Sequence, residues 1–347
     1  MPQPKTRWIN WQQPMKQVLF ACAPLLAASI HLFGWRVAAM LALAAAAAYA
    51  TEAAFTRRWK EPVSSAVFVS ATLFTFSLPP TLPFWMAVVG IVFGILFGKM
   101  VYGGFGRNVF NPALTGRAFI YICFGNYMTA QWYEPWTRFP AGWVRWGWTA
   151  ASAPPDVITS ATPGALLKLS ADALASHGAA AADLSAANLF LGDCSGVIGG
   201  TSAALTLLCG LYIVWKRAAN YRIVLSGFLG YAAVQTAFWR LGIGNAADPL
   251  RAALGGSLVI GIFFYATDPV SASQTNPGRW IYGALIGALS STIATLSAWP
   301  AGTMFAILLA NMFAPILDHA IRSLQAAAKG GPARGTDVSA ANKSGGR

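Results

Sequence analysis

Ten stretches of about 20 mostly apolar residues, each long enough to cross a hydrocarbon core as a helix, dominate the chain. They lie near 18–34, 37–55, 63–79, 84–101 and 112–128. After a long interruption they resume near 197–215, 222–239, 252–266, 281–298 and 302–318. In lipid every backbone polar group must be satisfied internally, so segments of this kind fold as helices. Only 10% of the 347 residues are charged and 56% are hydrophobic, whereas a soluble globular chain carries about 25% charged residues. That shortfall excludes a soluble two-domain enzyme, a disordered chain and a nucleic-acid binder. The expected fold is an all-α integral membrane protein with about ten transmembrane helices.

The formal net charge of +13 comes from 24 Lys and Arg against 11 Asp and Glu. With the N-terminus inside, basic residues concentrate on inner segments, and only Arg36, Arg138, Arg145, Lys168, Arg240 and Arg251 fall outside. That asymmetry predicts cytoplasmic N- and C-termini. The basic, amphipathic Met1–Gln17 precedes no small-residue cleavage site, so the first apolar run is expected to remain as a span. Five spans on each side of the interruption make two halves that enter the membrane from opposite sides, the parity of an inverted repeat. The expected divisions are a cytoplasmic segment (1–17), a first membrane half (18–128), an extracytoplasmic segment (129–196), a second half (197–318) and a disordered cytoplasmic tail (319–347). The four cysteines have no CxxC spacing and the three histidines are scattered, so neither a metal cluster nor a redox dithiol is expected.

Most of the apolar sequence is unspecific, and the information sits in its polar, Gly- and Pro-rich breaks. The first, Tyr102-Gly-Gly-Phe-Gly-Arg-Asn-Val-Phe-Asn-Pro112, lies inside; three glycines let the backbone turn and approach a ligand, and Arg107, Asn108 and Asn111 supply donors. Its structural reading is a turn whose polar groups cap two helices. The second, Ala266-Thr-Asp-Pro-Val-Ser-Ala-Ser-Gln-Thr-Asn-Pro277, places Asp268 near the membrane boundary, where an ionisable group is a functional candidate. Its structural reading is an Asx-Pro turn. The third, Gly192-Asp-Cys-Ser-Gly-Val-Ile-Gly-Gly-Thr-Ser202, is expected to serve close packing. The fourth is the outside segment 129–190, where tryptophans from Trp132 to Trp148 read as interfacial anchors. There Thr162 reads locally as an N-cap with Pro163 at the first helical position.

Taken together these breaks resemble one family, which holds the D component of the Rnf electron-transport complex and the homologous B component of the sodium-translocating NADH:quinone reductase. The resemblance rests on Gly103-Gly-Phe-Gly-Arg-Asn-Val-Phe-Asn-Pro-Ala-Leu-Thr-Gly-Arg-Ala-Phe119, Ala266-Thr-Asp-Pro-Val-Ser-Ala-Ser273 and Ala306-Ile-Leu-Leu-Ala-Asn-Met-Phe-Ala-Pro-Ile-Leu-Asp318. It runs from about residue 18 to 322. In that family a Ser/Thr-Gly-Ala-Thr motif carries FMN through a phosphoester to its last threonine. Thr159-Ser-Ala-Thr162, preceded by Asp156, matches it, with Ser160 where glycine is common. The resemblance therefore implies covalent FMN on Thr162, installed by a flavin transferase on the extracytoplasmic side, with the helix N-terminus at Pro163 favouring the phosphate charge.

It also implies a second, non-covalent flavin, riboflavin or FMN, with Asn108, Asn111 and Asp268 as candidate contacts. Gly200 stands where a glutamate is frequent in the family. The implied function is a flavin-carrying subunit of a Na+- or H+-translocating oxidoreductase in a bacterial cytoplasmic (inner) membrane. Its partners would be the other subunits, the transferase, the bilayer and quinone, and no nucleic acid. The chain has no NADH fingerprint and is expected to be inactive alone. A channel or secondary transporter for a small solute, and a non-flavinylated membrane scaffold, remain open alternatives from the residues alone.

Overall fold

The computed structural model describes residues 8–129, 135–136, 139–147, 163–167, 184–192, 194–297 and 302–328. The first group of helices comprises α1 (Gln13–Phe33), α2 (Arg36–Trp59), α3 (Ala66–Phe76), α4 (Phe84–Ile95), α5 (Pro112–Cys123) and the short α6 (Gly125–Thr129). A π turn, Leu96–Met100, extends α4. Two short helices follow, α7 (Pro163–Leu166) and α8 (Ala186–Leu191). The second group comprises α9 (Ala203–Trp215), α10 (Tyr221–Leu241), α11 (Pro249–Gly255), α12 (Leu258–Ile260), α13 (Asn276–Leu296) and α14 (Gly302–Ala328). Another π turn, Gly261–Tyr265, extends α12. Helix therefore forms at every expected span. The departure from an all-α reading among the described residues is a two-residue parallel pairing of Ile9–Asn10 (β1) with Val63–Ser64 (β2).

Three helices, α1, α2 and α14, are long and apolar enough to cross a membrane. Helices α10 and α13 each have 21 residues but carry more polar side chains. The spans expected at 63–79 and 252–266 differ most from expectation. Helix α3 has 11 residues, nearly all buried, and at about 1.5 Å per residue it covers about half a bilayer core. After it, residues 77–82 stay buried outside any helix. Such backbone is tolerated where protein satisfies it, and here it does. The Gly199 N–H donates to the Phe76 carbonyl at 2.9 Å and the Ile198 N–H to Leu78 at 3.1 Å. The buried Arg36 guanidinium donates to the Pro80 and Leu82 carbonyls. The 192–202 break thus packs against the broken end of α3, as its small residues predict; a Cβ on Gly199 would lie 2.4 Å from Phe76. Helix α12 with its π turn is similarly short and buried throughout.

Close crossings in both groups depend on glycine. A Cβ on Gly94 of α4 would sit 2.4 Å from the Pro112 carbonyl oxygen of α5, and one on Gly287 of α13 would sit 2.0 Å from the Gly227 carbonyl oxygen of α10. The contacts within the two groups correspond. Helix α2 packs on α3 and α4 as α10 packs on the α12 π turn and α13. Helix α4 packs on α5 as α13 packs on α14, and α1 meets α3 as α9 meets α12. The groups touch through α1 with α9 and α5 with α14.

Two boundaries move. Helix α1 starts at Gln13, inside the segment expected at 1–17, because Pro14 occupies its first turn. Helix α14 continues to Ala328 past the boundary expected at 318; the tail from 329 lies outside the described residues. On the other side, the described part of the tryptophan-rich segment lies against the ends of the first helices. Trp35 Nε1 donates to the Trp143 carbonyl at 2.8 Å, and Trp146 meets Phe84 edge-on at 6.5 Å.

Candidate functional site

Two of the breaks meet in one cleft. Asn108 and Asn111 from the first and Thr267, Asp268 and Val270 from the second line a space of about 630 Å3, counting its open mouth, between α1, α3, α9 and the α4 π turn. Three glycines make the first turn possible, since Gly103, Gly104 and Gly106 have φ of +100°, +94° and +88°, a region costly for other residues.

Each candidate side chain also has a local structural role. Asn111 caps α5: its Oδ1 accepts from the Ala113 N–H at 3.0 Å and the Leu114 N–H at 3.4 Å. Its Nδ2 donates to the Tyr265 carbonyl at 3.4 Å, tying the first break to the second π turn. Asn108 Nδ2 donates to the Phe110 carbonyl at 3.1 Å. Asp268 Oδ1 accepts from the Val270 N–H at 3.0 Å, the Asx turn ahead of Pro269 that the sequence suggests. Burial pushes the Asp268 carboxyl above its ordinary range, opposed in part by that N–H and by the Lys99 charge. The amide and carboxylate readings therefore hold at the level of turns, while the fold adds what spacing could not: these groups face one space.

The charge at the cleft wall is one that pattern reading passes over. Lys99, in the α4 π turn, is 1% exposed. Its Nζ lies 2.6 Å from Glu52 Oε2 and 2.7 Å from Ser64 Oγ, and the Ser64 N–H and hydroxyl both donate to Glu52 Oε1. A buried ion pair survives only when further donors and acceptors around it are matched, and here Ser64 serves both partners. The signal that could have found it is the presence of single charges inside apolar runs, since intramembrane ionisable groups are rarely idle. Asp318 of α14 ends the third family-like stretch, and the sequence offers no role for it. It accepts from Ser273 Oγ at 2.6 Å, the Gln274 N–H at 2.7 Å, the Thr275 N–H at 3.0 Å and Thr275 Oγ1 at 2.7 Å, fastening the second break.

Asp156, Thr159, Ser160 and Thr162 lie outside the described residues. The segment directly after Thr162 is described. Pro163 and Gly164 line a second pocket of about 670 Å3, counting its open mouth, with Arg117 and Tyr121 of α5, the turn at 194–201, and Gly255, Gly256 and Ser257. Contact there is close, since a Cβ on Gly255 would meet Leu167 at 2.9 Å and Pro163 at 3.4 Å. Helix α7 has four residues, too short for the expected dipole support of a phosphate. Cys22, Cys123 and Cys209 are free thiols, and no metal-binding cluster occurs among the described residues.

Residues 5–326 match the family described as NQR2, RnfD, RnfE family. Among similar proteins is the B component of the Na(+)-translocating NADH-quinone reductase of Haemophilus influenzae, 38% identical over 267 residues, covering 75% of this chain and 60% of that protein. The corresponding component from Pseudomonas aeruginosa is 36% identical over 275 residues, covering 77% and 62%. That from Yersinia pestis is 36% identical over 292 residues, covering 82% and 65%. The chain thus spans less than two thirds of the length of these curated relatives. With a match running over nearly all of its own length, the chain belongs to the NQR2, RnfD, RnfE family.

Proposed function

We propose that the chain is the flavin-carrying membrane subunit of an ion-translocating oxidoreductase of the Rnf or NADH-quinone reductase type. In this reading it carries FMN on Thr162 through a phosphoester and a second, non-covalent flavin in the cleft of Asn108, Asn111 and Asp268. It works in a bacterial inner membrane with the other subunits, a flavin transferase and quinone, and moves Na+ or H+ only as part of that complex. The single observation that carries the reading is the convergence of two breaks, more than 150 residues apart in sequence, on one cleft walled by a buried lysine. The names of the relatives support the sodium-translocating class.

The residues present fit a flavin. The cleft offers amide groups, an apolar wall from Val18, Val69 and Leu73, and the Lys99 ammonium. Bound there, a flavin supplies one- and two-electron chemistry that side chains lack. Lys99 places a fixed positive charge at the wall, Asn111 holds the α5 end against the second break, and Asp318 keeps that break closed over the space. The corresponding contacts of the two helix groups support two inverted five-helix halves with the cleft between them, the usual place for such a site.

The test is in-gel flavin fluorescence of the denatured protein co-expressed with a flavin transferase, wild type beside Thr162→Ala. A fluorescent band lost in the variant is expected. Absence of the band from wild type, with the transferase labelling a control substrate, sinks the covalent reading and favours a transporter or scaffold.

A further inference from the structure

The two helix groups meet along a seam between α1 and α9, and one end of that seam is layered like a phospholipid. Gln17 of α1 and Tyr212 of α9 tie the helices together there, the tyrosine hydroxyl donating to Gln17 Oε1 at 2.9 Å. One turn deeper on each helix stands an exposed apolar side chain, Phe20 at 67% and Leu208 at 66%. On the opposite side of the bond come the cations. Lys16 precedes Gln17, and its Nζ lies 5.8 Å from the Trp11 ring centre. Lys216 follows Tyr212 by one turn, with Nζ 4.2 Å from the ring centre of Trp215, itself 73% exposed. Tryptophans in such positions sit at headgroup depth, and a ring face leaves the net charge of an ammonium in place. Neither helix offers that charge a carboxylate, since no Asp or Glu occurs in residues 1–51 or 194–247 of the sequence.

We propose that this seam binds an anionic phospholipid, its headgroup phosphate held by Lys16 and Lys216 and an acyl chain lying along Phe20 and Leu208. The two ammonium groups attract a negative headgroup. Their apolar stems and the tryptophan rings suit the boundary between headgroup and chain, and Phe20 and Leu208 give the chain an apolar track. A zwitterionic lipid fits the same track but gains less from the two charges, so the site selects by headgroup charge. The lipid bridges the two helix groups beside the Gln17–Tyr212 bond. Met15 and Val18 of α1 and Ile213 of α9 line the first cleft, so the lipid is that cleft's outer neighbour. The site needs only a membrane-embedded chain and stands whether or not flavin is bound.

The experiment is thermal unfolding of the full-length detergent-purified protein with added dioleoyl phosphatidylglycerol or, as reference, dioleoyl phosphatidylcholine, whose acyl chains are identical. Wild type is compared with the double variant Lys16→Gln, Lys216→Gln and with the charge-keeping double variant Lys16→Arg, Lys216→Arg. A third variant, Arg322→Gln, removes an exposed cation from α14, a helix outside the seam. Phosphatidylglycerol is expected to raise the wild-type melting temperature above the phosphatidylcholine value, as a ligand of the native state does. That excess is expected to vanish in the Gln pair and to persist in the Arg pair and in Arg322→Gln. Equal shifts from the two lipids in wild type overturn the site. An excess that survives in the Gln pair also overturns it, by placing the headgroup elsewhere. Loss of the excess in Arg322→Gln overturns it too, by reducing the effect to net charge. If the Gln pair does not fold, Lys16→Gln and Lys216→Gln are read singly. Each is then expected to lose part of the excess, and an undiminished excess in both refutes the site.

Discussion

At the scale of single residues, the buried charges decide most. Glu52 and Lys99 are each 2% exposed at the side chain and 2.6 Å apart, so each is stable only because of the other. Removing one partner should cost far more than removing both. Glu52→Ala leaves an ammonium buried among apolar groups and is expected to lose about 3–5 kcal/mol, whereas Glu52→Leu with Lys99→Met is expected to fall close to neutral. Denaturant titration in detergent checks the difference. Equal losses from the single and double changes would mean that water reaches the pair. Neither residue stands out in sequence, because each is one charge in an apolar run and their pairing spans 47 positions. Arg36 is hidden for a related reason. By charge it counts as an outer basic residue, yet its guanidinium turns inward to the carbonyls of Pro80 and Leu82.

At the scale of elements, the breaks are legible in sequence and the lengths are not. The glycine turn at 103–106, the Asn-Pro start of α5 and the Asx turn at Asp268 follow from local chemistry, and all appear as their residues predict. Hydropathy overstates α3 because it continues through Leu78 and Leu82, past the point where Pro79 and Pro80 stop a helix. An apolar run cannot say whether its backbone is satisfied within itself or by Gly199 and Arg36 from elsewhere. Convergence of the two breaks on one cleft is equally invisible, since it depends on how α4 and α12 end rather than on either motif. Asn111 stands at that junction and allows its two roles to be separated. Asn111→Ala removes the α5 cap and is expected to cost about 1 kcal/mol. Asn111→Asp keeps an acceptor for the Ala113 N–H but sets a buried carboxylate oxygen against the Tyr265 carbonyl in place of the Nδ2 donor, so it is expected to cost at least as much. Acid-extractable flavin should fall in both variants if the amide faces a ligand. Retention of flavin in Asn111→Asp would reduce the residue to a cap.

At the scale of the whole molecule, the question is how many helices cross. Three are long and apolar enough by themselves, whereas the charge asymmetry and the corresponding contacts of the two groups argue for ten. The two counts place particular surface residues on different sides. With ten spans and an inner N-terminus, Arg58 in the last turn of α2 lies inside, Asn126 after α5 outside and Arg322 near the end of α14 inside. With only α1, α2 and α14 crossing, Arg58 and Asn126 share the inner side and Arg322 moves outside. Arg58, Asn126 and Arg322 are all exposed, so a cysteine at each is available to reagent. Exposed Cys123 is first replaced by serine. In intact cells a membrane-impermeant maleimide is then expected to label Asn126→Cys and to spare Arg58→Cys and Arg322→Cys until the membrane is permeabilised. Labelling of Arg322→Cys alone would fit the three-helix count. It would also dissolve the inverted halves, because α5 and α14 could no longer enter from opposite faces, and the cleft would lose the membrane interface on which the proposed coupling role depends.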